Sequence, residues 1–279
     1  MERAQLVSRV YCYYRDMLTI LLHSSKTMQP RTFQTVTYQQ PRHLDQATEL
    51  GKYLQTLSVE QIKTAMQLSP AMAIKTKDLL QNWQQTPETT LPAIDAFLGD
   101  IYSGLQAQSF DDSDRDYANQ HLFILSGLYG ILRALDSIAP YRLEMGYRLP
   151  DEPYRNLYAF WSTAIADQLP PDQDVINLSA IEYTKAIPSY PPNIQVVTPK
   201  FLTMDPKTSE PKFVVVHAKI ARGAFARWLI KERIKTTDKI VQFTDLGYSY
   251  HPELSTPDEP VFVCKEFGGI GLSVRLTNK

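Results

Sequence analysis

The apolar positions of this chain switch repeatedly between short unbroken runs and helical spacing. Met17–Leu22 (MLTILL) is an unbroken run of strand length that gives way to the polar cluster His23-Ser24-Ser25-Lys26-Thr27. A strand ending in hydroxyls, free amides and an ammonium is one way to hold an anion at a sheet edge; an ordinary polar loop fits the same pattern. The stretch 41–57 repeats Leu44, Ala47, Leu50, Tyr53 or Leu54, and Leu57 at helical spacing. Ser58 and Gln61 form a capping box for a helix over 59–68, Ser69-Pro70 breaks it, and 71–83 predicts another carrying Met72, Leu79 and Leu80. Two short helices across a tight turn match a helix-hairpin-helix outline with Lys63, Lys75 and Lys77 nearby, a motif that grips backbone phosphates. The turn carries no glycine, so a plain helical corner fits equally well.

Further along, 92–110 is an apolar stretch punctuated by Gly99-Asp100 and Gly104. Ser113 reads as the cap of a helix with Asp114 and Asp116 in its first turn, running to about Ser126-Gly127 with Tyr117, His121, Leu122 and Leu125 inward. His121 reads as a packed core residue. Residues 141–149 read as extended, and Asp151 as the cap of a helix reaching Gln168. The run 174–178 is a strand; 194–198 and 212–216 are strands joined by the turn-rich MDPKTSEP; 219–235 is a helix; 239–243 and 260–267 are closing strands. This alternation predicts an α/β (mixed α+β) fold, a single large domain with a mixed sheet surrounded by helices.

Composition narrows the function classes. Of 279 residues, 43% are hydrophobic and 21% charged, ordinary for a globular chain, and the net charge of −1 announces no polyanion partner. Cys12 and Cys264 are too few and too far apart for a disulfide scaffold. No apolar run approaches the roughly 18 residues needed to cross a bilayer, so no membrane role is expected. The five histidines have no metal-ligand spacing, and Walker A, GxGxxG and GxSxG motifs are absent, so no cofactor is expected.

Two local features stand out. Between Lys212 and Lys239, eight Lys or Arg residues face only Glu232 and Asp238, a surplus that favours a phosphate-rich partner. The stretch Leu125–Met145, LSGLYGILRALDSIAPYRLEM, gathers Gly127, Gly130, Tyr129, Tyr141, Arg133, Asp136, Arg142 and Glu144. Its glycines permit close backbone approach and its arginines suit planar recognition of carboxylate or phosphate; an internal salt-bridge lattice bracing a turn is the alternative.

These blocks resemble the YaaA family of peroxide stress-response proteins. The central stretch is similar to the family's LSGLYGxLRPLDxxxPYRLEM, with Ala134 in place of its proline. Phe97–Leu105 (FLGDIYSGL), Ile176–Lys185 (INLSAIEYTK), Ala218–Gly223 (AKIARG) and Phe243–Tyr248 (FTDLGY) resemble further family blocks. The family's SPAKT keeps Lys26 and Thr27 here but loses its proline. The likeness spans 17–267 as one YaaA-like domain, leaving 1–16 as an N-terminal extension, which points to Met17 as the physiological start, and 268–279 as a tail. It implies a cytoplasmic protein of the hydrogen peroxide response that limits damage linked to intracellular iron and binds DNA through a helix-hairpin-helix within a mixed fold. The hairpin would be Leu57–Lys77, whose turn reads Ser69-Pro70-Ala71 where the family has Ser-Asp-Lys.

Two functions follow. The first is binding of double-stranded DNA without turnover, with Lys26, Thr27, Arg133, Arg142, Lys185, Lys219 and Arg222 beside the hairpin lysines as anion contacts. The second is an enzyme acting on a small phosphate- or carboxylate-bearing ligand, with Glu144 or Glu182 carrying protons and Asp100 orienting. The discriminating geometry is whether these residues gather at one place.

Overall fold

A computed structural model gives the fold and describes residues 17–29 and 39–269. The extension 1–16 and the tail beyond Gly269 lie outside the described residues. β1 (Leu18–His23) forms where its apolar run predicts, every residue buried. β2 (Thr27–Met28) follows, then α1 (Leu44–Thr56), α2 (Val59–Met66) and α3 (Pro70–Gln81). Ser58 and Gln61 make the expected capping box, and Ser69 caps α3 with Pro70 in its first turn. β3 (Leu91–Pro92), α4 (Ala93–Ala96), β4 (Phe97–Leu98), α5 (Asp100–Leu105) and α6 (Asp112–His121) come next.

Here the structure departs from the sequence pattern. Asp111 rather than Ser113 caps α6, and that helix stops at His121. Leu122–Ser126 is a fully buried strand, β5, because pairing beside β1 covers its apolar residues on both faces. β6 (Gly130–Arg133) and β7 (Ser137–Ile138) follow. The long helix expected after Asp151 reduces to α7 (Leu157–Trp161) and a 3-10 turn at Ala166–Gln168, interrupted at Ser162, whose φ is +45°. β8 (Asp174–Asn177), α8 (Ile181–Thr184) and β9 (Val196–Val197) lead to β10 (Lys200–Met204), which pairs antiparallel with β11 (Pro211–Lys212). MDPKTSEP thus closes a hairpin, with β10 as its first strand. α9 (Val215–Lys231) starts earlier than its polar spacing predicts, and 239–243 falls largely in a 3-10 helix, Thr237–Gln242. β12 (Tyr248–Tyr250) and β13 (Val261–Cys264) complete the order.

Five strands form one mixed sheet in the order β6-β5-β1-β8-β9, with β1 parallel to both neighbours and β6 antiparallel to β5. A second sheet has the order β11-β10-β13-β12. Because β1, β5 and β8 run parallel, their C-terminal ends meet at one edge, where open α/β sheets hold ligands. A close helix crossing packs the basic helix α9 against α5. Gly104 of α5 and Gly223 of α9 face the opposite backbone so closely that an added Cβ would lie 2.0 Å from the Ile220 carbonyl oxygen and 1.8 Å from that of Ile101. Only glycine permits this crossing.

Candidate functional site

The C-terminal edge of the first sheet carries a connected polar cluster. β1 ends in His23, buried at 8% exposure, and runs directly into Ser24. The Ser24 hydroxyl donates to the Tyr183 hydroxyl at 3.1 Å, and Tyr183 donates to Glu144 Oε1 at 3.2 Å. Glu144 Oε2 lies 3.2 Å from the Lys26 ammonium. In the other direction, Ser24 bonds the Tyr141 hydroxyl, itself 2.6 Å from Ser126 Oγ at the end of β5. A continuous chain of hydroxyls thus runs from the buried end of β5 to an exposed lysine.

The Tyr141–Tyr147 loop supplies Tyr141, Arg142 and Glu144, and two contacts seat it. Gly127 lets the Leu143 carbonyl rest on the turn after β5, and the Gly146 amide donates to Glu182 Oε1 at 2.8 Å. Glu182 is therefore engaged as a clip for this loop. Asp100 begins α5 behind Gly99, whose φ of +116° brings its backbone beside the Ser25 hydroxyl. Thr27 pairs with Leu98 in the β2–β4 ribbon.

His23 is fixed on three sides. Its ring stacks on Tyr183 with centroids 4.8 Å apart, its Nδ1 accepts the Ala180 amide at 3.1 Å, and its carbonyl accepts the Tyr102 hydroxyl at 3.0 Å. Burial, reinforced by the positive charges of Arg222 and Lys219, pushes its pKa down to about 3, so the ring is neutral at pH 7. Since Nδ1 accepts a hydrogen bond, the single proton belongs on Nε2. Burial holds the Glu144 carboxyl above its ordinary range against the pull of Lys26, and Glu182's negative charge adds to the rise. Burial lowers Arg222, a half-buried guanidinium without a carboxylate partner among the described residues. Arg142 bonds the Tyr147 hydroxyl and acts electrostatically on Lys26, while its buried Nε has no partner among the described residues.

Other residues singled out by sequence lie elsewhere or are already neutralised. Arg133 pairs with Asp136 at 3.0 Å, a carboxylate at 0% exposure that also accepts the Gln39 amide. Arg133 sits opposite Phe123, toward the far end of β5 from Ser126, so this half of the central stretch braces the fold. Lys63 pairs with Glu60 at 2.9 Å and the Lys77 ammonium donates to the Gln55 carbonyl; Lys75 is exposed. Lys185 is exposed just past α8. The basic segment also loses much of its surplus in three dimensions. Lys212 meets Asp205, Arg227 meets Asp245, and Lys231 and Arg233 both meet Asp114.

Sequence reasoning offered the hydroxyls after β1, Ser24 among them, as an anion-holding edge, but assigned no role to His23, Tyr141 or Tyr183. The available signal was a histidine and serine closing a buried apolar strand. A cavity of about 660 Å³ lies beside α5 and α9, but its charged residues Asp95 and Arg227 are paired with Arg115 and Asp245. Among the described residues no three His, Cys, Asp or Glu side chains gather as a metal ion would require, and no helix is long and apolar enough to cross a membrane.

Comparison with known proteins agrees with the motif pattern. The family model described as peroxide stress protein YaaA matches residues 18–254. A curated relative from Salinispora tropica, named only as a UPF0246 protein, is 54% identical over 258 residues, covering 92% of this chain and 98% of the relative. The chain therefore belongs to the YaaA family of peroxide stress proteins.

Proposed function

We propose that this protein acts in the cytoplasmic response to hydrogen peroxide by binding double-stranded DNA without strong sequence specificity, through the cations at the C-terminal edge of its five-stranded sheet. One observation carries the reading. Lys219 and Arg222 act electrostatically on His23 at the end of β1, Arg142 acts on Lys26 three residues further on, and of these four cations only Lys26 has a carboxylate partner among the described residues. Cations without acidic partners are the ones that neutralise phosphates and release counterions. Because the lysines of α2 and α3 are partly spent on Glu60 and Gln55, the helical hairpin is the weaker candidate. The iron link follows from the same electrostatics. Ferrous ions held in the counterion atmosphere of DNA generate radicals from peroxide where they do most harm, and a protein covering those phosphates displaces them.

The test is fluorescence anisotropy of a labelled duplex at low salt. The expected result is binding that weakens steeply with salt and falls about tenfold or more in Lys219→Ala/Arg222→Ala for every sequence tried. Absence of duplex binding at low salt rejects the reading.

A second reading, catalysis on a small phosphate- or carboxylate-bearing substrate, draws on the chain Ser126–Tyr141–Ser24–Tyr183–Glu144. Linked hydroxyls ending at a carboxyl raised by burial can pass a proton to a ligand beside Lys26.

A further inference from the structure

We propose that the cavity beside α5 and α9 receives a nucleobase, either as a free nucleoside or as an unpaired base of a bound strand. The second source rests on the DNA reading above; the pocket itself does not.

Three observations support it. First, the space has the right size: its volume is about 660 Å³, within the roughly 300–1,000 Å³ of small-molecule sites. Second, its polar lining is neutral. Both Asp95 oxygens accept from the Arg115 guanidinium at 2.8 Å, and Arg227 meets Asp245 at 2.9 Å. The other long polar side chains are carboxamides. Gln29, Gln106 and Gln108 line the cavity, and none of their side chains has a hydrogen-bond partner among the described residues. A carboxamide sets a donor beside an acceptor, the pattern that matches the edge of a base, whereas a phosphate offers acceptors only. Third, the rest of the wall is apolar. Phe97 and Tyr102 line it together with Ile94 and Ile220, a surface suited to the faces of a flat ring.

Two contacts join the cavity to the sheet edge. The Tyr102 ring lines it while the Tyr102 hydroxyl donates to the His23 carbonyl at 3.0 Å. Gly99, another lining residue, sits so near Ser25 that an added Cβ would stand 2.9 Å from the serine hydroxyl oxygen. Lys26 follows Ser25 directly. A strand whose phosphates lie along this edge therefore has the cavity beside it. A paired base stays within its duplex, so the base that DNA would supply is an unpaired one.

The experiment titrates the full chain into two fluorescent probes, aminopurine riboside and a duplex carrying one unpaired aminopurine, with the fully paired duplex as control. The expected result is a saturable change in emission from at least one probe, with affinity about tenfold weaker in Gln106→Ala/Gln108→Ala. Ser103→Phe fills the cavity from α5, and its fold is checked by its thermal melt. This variant should abolish the emission change while anisotropy still reports duplex binding. No saturable change from either probe up to about 0.3 mM protein, or a change that survives both variants, overturns the proposal. The arms separate the sources. A response from the unpaired base that the paired duplex lacks assigns the site to DNA, and a response from the riboside alone assigns it to a small metabolite; both support the pocket. Duplex binding without any emission change removes the pocket alone, whereas a riboside response without duplex binding removes the DNA reading alone.

Discussion

Gly127 and Leu143 lie so close that a Cβ on the glycine would stand 2.5 Å from the leucine's carbonyl oxygen. That contact seats the loop carrying Tyr141, Arg142 and Glu144 on the turn after β5, and so builds half of the charged cluster. Gly127→Ala must push the loop away. The expected loss is about 1–3 kcal/mol, read as a lower melting temperature, with duplex binding reduced as well. An unchanged melt would mean that the loop is not held by this contact.

The α5–α9 crossing makes a parallel prediction at the other side of the cluster. Gly223→Ala places a methyl 1.8 Å from the Ile101 carbonyl oxygen, and Gly104→Ala meets Ile220 in the same interface. Each should cost several kcal/mol, and the double variant should cost less than their sum, because the first substitution already separates the helices. Denaturant melts of the three variants measure this directly.

Removing one negative charge should strengthen DNA binding. Glu144 is the acid that neutralises Lys26 at 3.2 Å. Glu144→Gln keeps an acceptor for the Tyr183 hydroxyl while freeing the ammonium for phosphate. Anisotropy should report a rise of about two- to fivefold in duplex affinity and a steeper salt dependence. A fall in affinity would assign Glu144 a direct part in the ligand contact.

His23 predicts a pH dependence of stability with a definite sign. Its pKa falls from 6.5 to about 3 on folding, so between these values the unfolded chain binds the proton that the folded chain refuses. The stabilisation is complete above pH 6.5 and is lost as pH drops toward 3, at up to about 1.4 kcal/mol per pH unit. Burial lowers His43, His121 and His217 in the same direction, so the His23 share is isolated by difference. His23→Gln, which can still accept the Ala180 amide, should reduce the slope between pH 6 and 4 by about one proton in denaturant titrations. The raised Glu144 works oppositely, stabilising at low pH and fading as pH rises through its folded value.

Much of this architecture is legible in the sequence wherever local chemistry decides it. The all-apolar run before His23 gives β1, and Ser58 with Gln61 and Ser69 with Pro70 fix the starts of α2 and α3. β5 is not legible, because Leu122–Ser126 continues the apolar positions of α6 without a breaker, and only pairing with β1 makes it a strand. The onset of α9 is masked by Val214-Val215-Val216, a β-branched run that reads as strand. Charge misleads for a related reason. Counted along the chain, 212–239 is strongly basic, yet Asp114, Asp205 and Asp245 reach four of its cations from outside that window or across a fold contact. The central stretch divides, with Arg133 and Asp136 bracing the sheet while Arg142 and Glu144 join Lys26 at its edge.

The most direct test sets the two basic regions against each other in one duplex titration. Lys219→Ala/Arg222→Ala removes cluster cations; Lys63→Ala/Lys75→Ala/Lys77→Ala removes those of the helical hairpin. The cluster variant should lose about tenfold or more in affinity and flatten the salt slope by one to two phosphate contacts, with the hairpin variant within about threefold of wild type. Loss of binding in the hairpin variant, with the cluster variant unaffected, would contradict the account.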